Sequence, residues 1–100
     1  MTLEQIPWRG ARPPDADTVR RHLESEGFTV VRWSDAPGRV YTPHSHDHDE
    51  SLWMVAGGMT FVIDGQRYHL GPGDRLQLPR GTVHSAEADA SGAHYLIGER

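Results

Sequence analysis

The chain has no cysteine and no lysine. Without thiols there is no disulfide framework, no thiolate nucleophile and no cysteine-ligated zinc site, so nitrogen and oxygen are the only strong metal donors on offer. Positive charge is carried by arginine alone. It is scattered from Arg9 to Arg100 without a run, and 14 acidic residues leave a formal net charge of -4. A nucleic-acid surface needs a concentrated basic face, so no nucleic-acid partner is expected. No apolar run approaches the ~20 residues of a membrane helix, and the N-terminus lacks a signal-peptide core. The expectation is therefore a soluble, cytoplasmic protein with no membrane partner. At 100 residues, 36% hydrophobic and 24% charged, the chain is the size of one domain with a modest core and no inter-domain cleft.

Residues 1–14 hold three prolines and a glycine without periodicity, which predicts an extended arm whose Leu3, Ile6 and Trp8 dock on the domain or on a second subunit. The remaining 15–100 form a single domain. A short helix is expected at about 16–26. Asp15 or Asp17 is its N-cap, Val19 and Leu23 share one face, and Gly27 with Phe28 supplies a Schellman-type end. From Phe28 onward, short β-rich runs alternate with turn signals, which points to an all-β barrel or sandwich of about eight strands. The expected strands are Thr29–Ser34, Val40–His46, Ser51–Ala56, Met59–Ile63, Gln66–Leu70, Leu76–Leu78, Val83–Ala88 and His94–Ile97. Asp64-Gly65 is the strongest hairpin turn among their connections.

Histidine is plentiful, with seven residues, and the stretch from Gly38 to Gly57 concentrates it. His44 and His46 are two apart, so on a strand they project from one face, together with Val40 and Thr42. A turn at Asp47, His48 and Asp49 can then bring Glu50 beside them. Two imidazoles and a carboxylate suit a first-row transition metal. A second spaced pattern follows: Gly73, Pro79, Gly81 and His84. Here glycine and proline shape the turns that deliver His84 to a strand. Taken alone, His84 is more simply a structural histidine.

Together the two stretches resemble the cupin superfamily. Its first motif, G-x5-H-x-H-x3-4-E-x6-G, is met at Gly38, His44, His46, Glu50 and Gly57. Its second, G-x5-P-x-G-x2-H-x3-N, is met at Gly73, Pro79, Gly81 and His84, with Ala88 standing where the family has asparagine. The resemblance implies a jelly-roll-like β-barrel. It also implies one divalent transition metal (Fe, Mn, Ni, Cu, Co or Zn) held inside by His44, His46, Glu50 and His84. Within that frame Glu50 selects His44 and His46 over the overlapping pair His46 and His48, whose matching acid would fall at Leu52 or Trp53. His48 is then a turn residue with a secondary claim to the site.

Leu52 and Met54 should face the same side as Glu50 and make an apolar pocket wall. Gln77 and Arg75 share a face and are candidate polar contacts for a ligand if that face is the inner one. His69 is expected to be exposed, and the aromatic residues to serve as core or interface. The resemblance implies a small-molecule partner and oxygenase-like or isomerase-like chemistry in a homodimer. The alternative is a non-catalytic binding or sensor module with a structural or ligand-recruiting metal.

Overall fold

The computed structural model describes all 100 residues, Met1–Arg100. In chain order the elements are β1 (Glu4–Ile6), α1 (Ala16–Ser25), β2 (Thr29–Asp35), β3 (Val40–His44), β4 (Glu50–Ile63), β5 (Gln66–Leu70), β6 (Arg75–Leu78) and β7 (His84–Glu99). Strands β4 and β7 pair antiparallel in two separate zones, Glu50–Met54 against Tyr95–Glu99 and Met59–Val62 against Ser85–Ala88. The first zone is flanked by β6, with β1 beyond it, and by β2, while the second is flanked by β5 and β3. Two antiparallel layers therefore share their central strands, which is the jelly-roll-like barrel of a small all-β domain.

Seven strands are present where about eight were expected from the sequence. Gly57-Gly58 and the segment Asp89 to Gly92 do not end strands, because β4 and β7 run straight through them. The ladder slips twice there, between Met54 and Ala56 and between Gly57 and Met59. Such bulges bend a strand without terminating it. Gly57 has φ +70°, and a Cβ at that position would lie 2.0 Å from the Gly92 carbonyl oxygen. Only glycine allows both the left-handed backbone and this approach. Asp64-Gly65 does turn as expected, with φ values of +50° and +76°. Positive φ at both central residues marks the hairpin turn whose twist matches its strands.

Inward-facing residues of the two layers form the main core, including Leu52, Met54, Met59, Phe61, Leu76 and Leu78. Helix α1 covers the outer side of the first layer. Its buried Val19 and Leu23 pack with Phe28, Trp53 and Leu96, each contributing on the order of 1.5–3 kcal/mol by leaving water. Asp15 caps the helix, its Oδ1 accepting from the Thr18 N–H at 2.8 Å. At the other end the Phe28 N–H donates to the Leu23 carbonyl and the Gly27 N–H to that of Glu24. With Gly27 at φ +89°, this is a Schellman closure. No helix is long and apolar enough to cross a membrane.

The N-terminal segment docks on its own domain. Glu4–Ile6 pairs with the edge of β6, Leu3 packs on the main core, and the Trp8 N–H donates to Asp74 Oδ1 at 2.8 Å. The Trp8 ring lies where a Cβ on Gly73 would be, which gives that motif glycine a packing role besides its φ of +91°.

Arg75 is buried against the outer side of this layer. Its Nε donates to Ser51 Oγ at 2.7 Å, its guanidinium sits 4.8 Å from the Trp53 ring centre, and it pairs with Glu26. The Arg75 hydrogen bond is the main reason the Glu26 carboxyl is held below its ordinary value. A depressed carboxyl stabilises the fold above its unfolded value and loses that contribution as pH falls through its folded one.

Two consequences can be measured by urea denaturation. Gly57→Ala should cost about 2–4 kcal/mol through strain and the clash with Gly92, whereas Gly65→Ala, with open space around its Cβ position, should cost less. Glu26→Gln should lower stability at neutral pH by about 1 kcal/mol. The difference from wild type should vanish in acid, below the ordinary glutamate range. A constant difference at all pH values would show that the pair does not titrate with folding.

Candidate metal centre and adjoining cavity

Three imidazoles converge. His44 ends β3, His84 begins β7, and His46 lies in the loop beyond β3. One ring nitrogen from each comes within 4.8 Å of the others. The His44 and His84 ring centres are 4.3 Å apart, and His46 lies 5.0 and 5.4 Å from them. His44 Nδ1 is 2.7 Å from the Thr42 carbonyl oxygen and His84 Nδ1 is 2.9 Å from that of Thr82. A carbonyl can only accept, so each Nδ1 carries a proton, and in the neutral ring Nε2 is then the atom with the lone pair. Backbone carbonyls thus fix both rings in one tautomer. Burial holds His84 below the ordinary imidazole value, with His44 and His46 adding to the effect.

Glu50 is buried at the first residue of β4. Its Oε1 lies 3.6 Å from His46 Nε2, and its Oε2 lies 3.2 Å from His48 Nε2. His46, His48 and Glu50 therefore form a second cluster that shares His46 with the first. Burial pulls His48 down, but the hydrogen bond and charge of Glu50, aided by Glu99 and Asp47, leave it raised overall. His48 is thus not only a turn residue, since it shares the carboxylate expected to serve the site.

The loops carrying the two motifs are tied together by backbone. The Gly81 N–H donates to the His46 carbonyl at 2.8 Å. Asp49 exchanges two backbone hydrogen bonds with Arg100, and its Oδ1 accepts from the Arg80 N–H at 2.8 Å. That backbone donor is the first cause of the lowered Asp49 carboxyl.

The imidazoles and Glu50 stand in the wall of a cavity of about 260 Å³. Leu52, Met59, Phe61, Ala86 and Ile97 give it an apolar lining. Half-exposed Val31 and Trp33 border its mouth. The remaining wall is polar: Tyr41 and Tyr95 line it, and both donate to the buried Asp35. The aromatics were expected as core or interface, and Asp35 lies one residue beyond the expected strand Thr29–Ser34, so neither was expected to line a site. The spacing Val31-x-Trp33-x-Asp35 was the available signal, since it puts three residues on the inner face of β2.

Three placements correct sequence expectations. Val40 and Thr42 do not share the inner face with His44. A register shift between Tyr41 and His44 changes the phase of β3, so Tyr41 lines the cavity while Val40 is exposed. Arg75 and Gln77 do not reach the cavity. Leu76 and Leu78 take the inner face of β6, so their neighbours face outward. Met54 is fully buried in the core, and Leu52 alone of that pair lines the cavity. His69 is exposed with its Nε2 2.8 Å from Asp89 Oδ2. Ala88, where the resemblance calls for asparagine, is buried in the main core.

Residues 31–97 match the Cupin_2 family, described as the cupin domain. The chain is 38% identical over 79 residues to quercetin 2,3-dioxygenase of Bacillus subtilis (strain 168), covering 77% of this chain and 23% of that protein. It is 32% identical over 65 residues to the pectin degradation protein KdgF of Dickeya dadantii (strain 3937), covering 55% of this chain and 59% of that one. The chain thus spans under two thirds of either relative. Among solved structures, KdgF from Halomonas sp. superposes with a TM-score of 0.60 at 32% identity, over 71% of this chain and 67% of that one. With the family matched across two thirds of its length and both motifs folded around one cavity, the chain belongs to the cupin superfamily.

Proposed function

We propose that the protein binds one divalent transition metal through His44, His46, His84 and Glu50, and acts on a small organic molecule in the adjoining cavity. The observation that carries this reading is the contact of His44 Nδ1 and His84 Nδ1 with backbone carbonyl oxygens. Each spends its Nδ1 proton on a backbone carbonyl, which leaves Nε2 as a donor to a metal. Nitrogen and carboxylate oxygen together suit Fe, Mn, Ni, Cu, Co or Zn better than magnesium or calcium. Bound there, such an ion supplies a Lewis acid beside an apolar wall.

The chain's own residues have separable tasks. The Thr42 and Thr82 carbonyls orient two rings, the Gly81 bond to His46 holds the third, and Leu52 with Phe61 limits water near them. Glu50, with Oε1 3.6 Å from His46 Nε2 and Oε2 held by His48, supplies the carboxylate of the set. Similarity to a protein named as a dioxygenase supports oxygenase-like chemistry, with an isomerase-like reaction as the other outcome. Uptake of dioxygen at an oxygen electrode during turnover separates the two.

Calorimetric titration of metal-free protein with Co(II) or Ni(II) should give one equivalent bound. His84→Ala should weaken binding by more than about 100-fold, beyond the usual effect of losing a residue that only supports a ligand. Retention should decline between about pH 7 and about pH 5 as protons compete for the imidazoles. Unchanged affinity in His84→Ala, or retention indifferent to pH, would refute histidine ligation. Asp49→Ala should leave the fold intact yet weaken metal binding by about tenfold, because it loosens the loop between His46 and Glu50. Asp49→Asn keeps an acceptor for Arg80 and should recover most of that loss.

A further inference from the structure

The cavity has a second polar end built around Asp35. This carboxylate is 5% exposed. Its Oδ1 accepts from Tyr41 Oη at 2.5 Å and from Trp33 Nε1 at 3.1 Å, and its Oδ2 accepts from Tyr95 Oη at 2.6 Å. Trp33 Nε1 also lies 3.2 Å from the Tyr41 oxygen. The three donors converge from β2, β3 and β7, so different elements assemble one network. Burial raises both phenols above their ordinary value, with Asp35 adding to the effect, and so the phenols keep their protons at neutral pH.

Those protons are already committed. A phenol has one proton to give, and each is given to Asp35. What Tyr41 and Tyr95 can still offer a ligand is oxygen lone pairs. Tyr95 Oη accepts from no indole or backbone group, whereas Tyr41 Oη already faces Trp33. This end of the cavity is therefore an acceptor that meets a donor.

The charge inventory points the same way. Glu50 and Glu99 line the cavity, and no arginine does. Arg39 stacks 4.6 Å from the Tyr41 ring centre but is not part of the lining. A ligand carboxylate or phosphate placed against the phenols would find no free proton and no cation, with Asp35 close behind. Burying an unpaired anion there is costly.

Size and shape narrow the ligand further. About 260 Å³ exceeds the ~150 Å³ that admits one benzene and falls short of the ~300 Å³ at which drug-sized pockets begin. The Tyr41 ring centre lies 6.3 Å from that of His44, so the two polar ends adjoin in one chamber whose volume suits a single ring and its substituent. Phe61, whose ring centre is 6.2 Å from that of His84, and Trp33 offer flat faces on the way.

We propose that the Asp35 end is a hydroxyl-reading subsite. It selects an uncharged, single-ring ligand whose one hydroxyl proton is accepted by Tyr95 Oη or the neighbouring Tyr41 Oη while its opposite oxygens meet the imidazole end. The assignment of the ligand's far end rests on the metal reading above; the subsite itself does not.

Three catechols separate these ideas, because their vicinal oxygens address the metal and only the other substituent varies. These are 3,4-dihydroxybenzyl alcohol, 4-ethylcatechol and 3,4-dihydroxybenzoate, titrated calorimetrically under argon into Zn(II)-loaded protein. The alcohol should bind at least about tenfold more tightly than the benzoate, and several-fold more tightly than ethylcatechol, the scale of one hydrogen bond to a buried acceptor. Tyr95→Phe should abolish the alcohol's advantage over ethylcatechol while leaving ethylcatechol within about twofold. Should Tyr95→Phe not fold by near-ultraviolet circular dichroism, Tyr41→Phe carries the same comparison. Equal or tighter binding of the benzoate, equal weakening of alcohol and ethylcatechol, or no binding of any probe to metal-loaded protein would overturn the subsite. If the protein holds no Zn(II), benzyl alcohol and benzoate are compared on metal-free protein. Preference for the alcohol then preserves the subsite and refutes the metal reading, and no preference refutes both.

Discussion

The contact on which the rest of this structure depends is backbone against backbone: Gly57 pressed onto the Gly92 carbonyl where β4 and β7 bend together. Glu50 opens β4, and His84 opens β7 at the far end of their shared ribbon, just beyond the Val62 to Ser85 pair. In a flat ribbon at ~3.4 Å per residue, those two side chains would stand roughly 40 Å apart. The bend folds the ribbon over, sets one zone facing the other, and brings both residues to a single cavity. A side chain at Gly57 would oppose that bend directly. Both motifs place their histidines and acid near strand ends, but the central glycine is what lets those ends meet.

Much of this was readable from residue spacing, and the failures share a cause. Local spacing identified the all-β class, the helix with its Asp15 cap and Gly27 exit, and the Asp64-Gly65 hairpin, while the cupin barrel and the gathering of His84 with His44 and His46 came from the resemblance to the cupin motifs. Strand number was overcounted because glycine serves equally as a turn and as a bulge, and only the partner strand decides between them. At Gly57 the partner is itself bent, so the ladder slips and continues. The inner face of β3 was misassigned because alternation holds only while register holds, and the shift between Tyr41 and His44 exchanges the faces. Arg75 shows the same limit from another side. A two-residue period states that Arg75 and Gln77 share a face, but the packing of Leu76 and Leu78 decides which face it is.

Asp35 was missed for a different reason. Asp35-Ala-Pro37-Gly38 has the composition of a turn, and an aspartate before proline and glycine is ordinarily solvated. Its phenol donors arrive from β3 and β7, so the alternation Val31-x-Trp33-x-Asp35 can suggest which face it takes but not the partners that let it be buried there. Tyr95 pairs in register with Trp33 of β2 and Met54 of β4, while Asp35 pairs with Ala93, so Tyr95 reaches Asp35 only through the side chain. Networks assembled across strands in this way are legible in coordinates and silent in spacing.

The two ends of the cavity are thus built on opposite logic. At one end, carbonyl acceptors take the imidazole protons and turn the rings into lone-pair donors. At the other, a carboxylate takes the phenol protons and leaves phenolic oxygens as acceptors. In both cases an acceptor outside the cavity fixes the proton position and so decides what the cavity wall presents. The result is a small chamber rich in electron pairs and poor in protons to give. Such a chamber disfavours anions throughout, unless a cation occupies the imidazole end. Removing an orienting acceptor should therefore change what the wall recognises while leaving the wall in place, which separates recognition from packing at Asp35 just as the Thr42 and Thr82 carbonyls do at the histidines.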